Sequence, residues 1–156
     1  DPSRVLAVLR YCHEKLRIQH VVIDSLMKCV RGEDDYNGQK DFVDALTSIA
    51  RDTGMHVHLV HHSKKREDEH RAPGKFDLKG SGSISDQVDN VFIVWRNKKK
   101  QFDAQAGIAV DLDTPDALLV CEKQRNGEWE GRFALWFHAA SQQFVAASGA
   151  SPLEFV

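Results

Sequence analysis

The stretch His20-Val21-Val22-Ile23-Asp24 is a β-branched run closed by a carboxylate, and a second apolar stretch at residues 55–62 closes on His61-His62. Between the two, Phe42, Leu46, Ile49 and Ala50 recur at three- and four-residue steps, the spacing of a helix with one apolar face. Ahead of both, Val5, Leu6, Leu9, Cys12 and Leu16 repeat that period after Asp1-Pro2-Ser3, a helix-opening signature. The order helix, strand, helix, strand builds an α/β fold with a parallel sheet flanked by helices. Strands of such sheets are covered on both sides, so residues 20–24 are expected to be buried on both faces.

Working outward, residues 27–39 are polar and contain glycine, which predicts a loop, and Gly54 closes the second helix. Residues 64–75 form a charged loop, and the Gly80-Ser81-Gly82-Ser83 segment leads into a helical turn at 84–89 and a third strand at 90–95. The segments 108–112, 117–123, 131–137 and 144–146 are short and separated by turn residues such as Thr114-Pro115-Asp116 and Asn126-Gly127. They predict antiparallel β-hairpins added to the edge of the parallel sheet.

The chain has 156 residues, enough for one domain with a real core, and residues 1–156 are read as a single domain. Its apolar fraction of 42% and charged fraction of 28% are those of a globular protein. The longest apolar runs fall far short of a bilayer span, so no membrane partner is expected. Three widely spaced cysteines argue against a disulfide framework and for a reducing, cytoplasmic setting. A net charge of -2 gives no global attraction to nucleic acid. Contact with DNA must come from local basic patches, at Lys64-Lys65-Arg66, Lys98-Lys99-Lys100 and Lys123 to Arg125.

Ligands of open parallel sheets sit beyond the carboxyl ends of the strands, so Asp24 is placed to face one. Nucleotide hydrolases use such a carboxylate to hold magnesium, directly or through water, although a strand-final Asp is more often a plain turn-former. His62 should emerge beside it, where a neutral imidazole can bond a terminal phosphate oxygen and lose that bond on hydrolysis. A zinc reading of His56, His58, His61 and His62 is disfavoured, because alternation along a strand sends neighbouring side chains to opposite faces. The Gly80 to Ser83 run lacks the Gly-Lys-Ser/Thr of a Walker loop; its backbone N–H groups, with Lys79, suit the phosphates of a nucleic-acid strand, and a flexible linker is the bland alternative. Arg125 on a hairpin tip suits insertion into a neighbour's active site, or is simply an exposed turn residue.

In this order, the motifs resemble the helicase core shared by DnaB-type bacterial helicases, the phage helicase-primase and the mitochondrial helicase Twinkle. His20-Val21-Val22-Ile23-Asp24 looks like the Walker B strand, with Asp24 the magnesium-associated carboxylate. Leu59-Val60-His61-His62-Ser63-Lys64 resembles the segment of the phosphate sensor, which implies that role for His62 and is closer to the phage-like branch. Asp77-Leu78-Lys79-Gly80-Ser81-Gly82-Ser83-Ile84 is similar to the family's motif for single-stranded DNA, which implies that Lys79, Gly80, Ser81 and Gly82 touch its backbone, with Lys64, Lys65 and Arg66 adding phosphate contacts. Glu122-Lys123-Gln124-Arg125-Asn126-Gly127 resembles the Lys-x-Arg element, which implies that Arg125 is an arginine finger acting across a subunit interface and Lys123 a second phosphate contact. Arg96 and Phe137 fall where phage-like members sandwich the adenine base.

The resemblance runs from about Asp1 to Phe144. It implies a partial RecA-like P-loop NTPase core, ATP or another nucleoside triphosphate with Mg, single-stranded DNA, a ring of most often six subunits, and primase and other replisome proteins as partners in a bacterial or phage-infected cell. The Walker A strand, loop and helix and the catalytic Glu are not in this sequence, and the family places them upstream of Asp1. That strand would lie between the strand ending at His62 and the strand at 90–95, leaving a gap to be filled. Two other readings remain open: a RecA-like module that binds DNA or oligomerises without hydrolysis, and a RecA-like recombinase or recombination mediator.

Overall fold

The computed structural model describes residues 1–32, 34–62 and 82–154. Two compact units separate among them, one built from residues up to 62 together with 82–88, the other from residue 89 onward.

The first unit opens with α1 (Pro2–Leu16), where Asp1 accepts a hydrogen bond from the Ser3 backbone N–H at 3.1 Å and Pro2 occupies the first turn. Arg17, in left-handed conformation at φ 57°, ends it. β1 (His20–Asp24) follows, then a four-residue helix α2 (Leu26–Cys29) and α3 (Tyr36–Thr53). Asp35 caps α3 by accepting from the Gly38 N–H at 3.0 Å, and Gly54 closes it at φ 72°, a conformation that costs a glycine little. β2 (His56–Val60) pairs parallel with β1 from His20↔His56 to Asp24↔Val60, and α4 (Gly82–Gln87) completes the unit. Leu9, Ile23, Leu26, Cys29, Phe42, Val43, Leu46, Ile49 and Ile84 form its core.

Two expectations are corrected here. Residues 27–39 are not one loop, because α2 and the first turns of α3 occupy much of the segment; Leu26 is fully buried and Cys29 nearly so, which fixes a helical turn that a polar composition hides. The β1 strand is covered on one face only: Ile23 is in the core, whereas Val22 is 70% exposed.

The second unit is a four-stranded antiparallel sheet in the order β3-β4-β5-β6, from β3 (Asn90–Arg96), β4 (Ala117–Gln124), β5 (Gly131–His138) and β6 (Gln143–Val145). The expected hairpins are present, but β3 pairs with β4, not with the parallel strands. Residues 108–112 form no strand, despite alternating Ile108, Val110 and Leu112; Ile108 and Leu112 are exposed. Instead α5 (Lys98–Gln105) precedes them, capped by Asn97, whose side chain accepts from the Lys100 N–H at 3.0 Å. Among the described residues, no helix is long and apolar enough to cross a membrane.

Candidate active-site residues

In the first unit, the register sets Asp24 opposite Val60, so the chain leaving β2 carries His61 and His62 past the same strand end at which Asp24 stands. Asp24 and His62 are exposed, and the Asp24 carboxylate makes no hydrogen bond or ion pair among the described residues. An exposed carboxylate without an internal partner is chemically fit to take a hard cation, whose preferred ligands are oxygens. Immediately after it, Ser25 and Leu26 are buried, which anchors the turn from which Asp24 projects. Burial, and then the charge of neighbouring His62, hold the His61 imidazole below its usual pKa.

Three further imidazoles gather toward the start of the same strands. His20, His56 and His58 lie on one side of the pair, with ring centroids 5.5, 5.9 and 4.3 Å apart. Desolvation, then the charges of His56 and His20, lower the pKa of His58. Among the described residues, no group of three His, Cys, Asp or Glu side chains is arranged to hold a metal ion.

In the second unit, Lys123 and Arg125 stand at the end of β4, beside a bulge between Val91 and Phe92. The Arg125 N–H donates to the Asp89 carbonyl at 2.8 Å, and its guanidinium pairs with the Asp89 carboxylate at 3.3 Å. Both side chains stay about half exposed, at 47% and 54%. Asp89 is a partner that sequence reading missed; its place one residue before a strand was the available signal. Lys99 and Lys100, read from sequence as part of a basic patch, are paired with Asp103 and Asp116.

Arg96 and Phe137 fall on the same face of the antiparallel sheet. Arg96 is opposite Ala117, Ala117 is opposite Leu135, and Phe137 is two residues beyond Leu135. Both side chains are exposed, and Phe137 meets Phe144 at 5.3 Å between ring centroids. Of the positions assigned to DNA, Lys64, Lys65, Arg66, Lys79, Gly80 and Ser81 lie outside the described residues. Gly82 is the first residue of α4.

A parallel strand pair packed against helices, followed along the chain by an antiparallel sheet, is the α/β arrangement expected from the sequence. Solved structures bear out that fold. A chain described as a DnaB-like replicative helicase in its interactions with primase superposes at a TM-score of 0.67 with 18% identity, over 93% of this chain and 34% of its own. A second solved chain, described as an ATPase domain, superposes at 0.69 with 19% identity, over 93% of this chain and 51% of its own. The sequence model of the DnaB-like helicase C terminal domain matches residues 2–146, and the chain belongs to that family. No curated protein matches it by sequence. It spans about a third to a half of the solved chains it matches.

Proposed function

We propose that the whole protein is a replicative helicase that hydrolyses ATP, or another nucleoside triphosphate, at the interfaces of a ring, most simply of six subunits, and moves along single-stranded DNA to part the duplex. Asp24 serves the magnesium ion, His62 senses the terminal phosphate, and Arg125 with Lys123 completes the site of the adjoining subunit. Arg96 and Phe137 hold the base. Lys64, Lys65, Arg66, Lys79, Gly80, Ser81 and Gly82 follow the DNA backbone. The observation that carries this reading is the exposed Asp24 carboxylate and the His62 imidazole at the same end of paired parallel strands, in a chain matched by the family over residues 2–146. Magnesium would supply charge neutralisation of the phosphates, and the protein's residues would supply its seat and the response to its ligand.

The test is strand displacement on forked DNA by the full-length protein with ATP and Mg. Asp24→Asn and His62→Ala should each lower unwinding and DNA-stimulated turnover by about a hundredfold or more while leaving the thermal midpoint nearly unchanged. Unwinding that persists in Asp24→Asn would remove the metal role. Filament formation on DNA without displacement would move the assignment to a recombinase.

A further inference from the structure

Asp116 makes directed bonds through its backbone and its carboxylate alike. Its backbone N–H donates to the Leu135 carbonyl at 2.9 Å, and its carbonyl accepts from the Asn97 N–H at 2.8 Å. Its carboxylate accepts from the Phe137 N–H at 2.8 Å through Oδ2 and pairs with Lys100 Nζ at 2.8 Å through Oδ1. Asn97 directly follows Arg96, so one residue is bonded to the backbone of Phe137 and to the neighbour in sequence of Arg96.

The sequence explains why a side chain is needed there. The β4–β5 ladder ends at Ala117↔Leu135, and the residue that would continue it toward Phe137 is Pro115. The Pro115 carbonyl accepts from the Asn97 side chain at 3.3 Å, so the Phe137 N–H, past the end of the ladder, is bonded by the Asp116 carboxylate. That carboxylate cannot swing away freely. Lys100, only 12% exposed, is held in turn by the Thr114 carbonyl at 2.6 Å, and a charge-assisted bond to a lysine so held restrains the partly exposed carboxylate.

We propose that Asp116 is a positioning residue for nucleotide binding: with Lys100 it sets the spacing of Arg96 and Phe137, the two side chains between which the base is held. This rests on the base-holding role given above to Arg96 and Phe137. A group that places the non-reacting base acts on ground state and transition state alike, so its loss raises KM and spares kcat.

The experiment is steady-state DNA-stimulated hydrolysis by the full-length protein, with purine and pyrimidine nucleoside triphosphates compared. Asp116→Ala should raise KM for ATP about tenfold, keep kcat within about twofold, and erode the preference between bases. Asp116→Asn, which keeps an acceptor for the Phe137 N–H, should restore KM to within about threefold of the parent. If Asp116→Ala does not fold, Lys100→Met decides: it leaves the acceptor but frees the carboxylate, and KM should rise about threefold. An unchanged KM in Asp116→Ala or Lys100→Met, or an Asn variant as impaired as the Ala variant, overturns the proposal. Unchanged KM in Arg96→Ala and Phe137→Ala would instead overturn the base-holding role beneath it.

Discussion

Under the proposed function, Arg125 has to leave Asp89 before it serves a phosphate. Its pair with Asp89 is long, at 3.3 Å, and half in solvent, so it contributes about 0–1 kcal/mol and is readily exchanged. Loss of this pair in Arg125→Ala should shift stability by no more than about 1 kcal/mol in a thermal melt, while turnover of the assembled protein falls by about a thousandfold. Arg125→Lys should recover little, because a point charge does not reproduce the planar fork of a guanidinium. Equal losses of stability and turnover would reduce Arg125 to a structural residue. A second residue-scale effect concerns pH. His58 and His61 have folded pKa values below the 6.5 of a free imidazole, so the unfolded chain binds more protons between the folded value and 6.5. Their contribution is fully present above that window and is lost as pH falls through it. Thermal midpoints should drop as pH falls below 6.5 toward those folded values, and replacing His56 by Asn, which removes a charge facing His58, should flatten that drop. A slope unaltered in the variant would exclude the histidine cluster as its source.

At the scale of elements, α3 carries the first unit, because Phe42, Val43, Leu46 and Ile49 are all almost wholly buried along it. Phe42→Ala removes a ring from that core and should cost about 3–5 kcal/mol in denaturant unfolding, a large part of the roughly 5–15 kcal/mol of an ordinary domain. Asp35→Ala removes only the cap and should cost about 1 kcal/mol. Elements with a strong period and a proper cap were legible in the sequence: α1, α3, β1 and the strands of the hairpins emerge close to their expected places. What stayed hidden lacked an apolar period, or carried one that local bonds override. No residue of α5 is buried, so it has no apolar stripe; it is set by the Asn97 cap and the Lys99–Asp103 pair at 2.5 Å. Residues 108–112 alternate as a strand would, yet their course is fixed by single bonds, such as Trp136 Nε1 donating to the Leu112 carbonyl at 2.9 Å, which no periodicity announces. The same holds for Asp116, which reads as a turn residue until its partners are known.

At the scale of the whole molecule, the sequence itself contains no Gly-x-x-x-x-Gly-Lys-Ser/Thr segment, so these 156 residues alone should turn over no detectable nucleoside triphosphate. Under the proposed function, a ring leaves two cases for Arg125: it acts on its own subunit's nucleotide or on its neighbour's. Mixing two inactive full-length variants, Asp24→Asn and Arg125→Ala, separates the cases. If the guanidinium acts across the interface, a site is competent when one subunit keeps Asp24 and the adjoining one keeps Arg125, which random mixing in equal amounts produces at about a quarter of interfaces. Turnover should then rise to a comparable fraction of the parent on mixing and subunit exchange. If Arg125 acts within its own chain, every subunit of the mixture retains its defect and activity stays at the level of the separate variants, whatever the ratio.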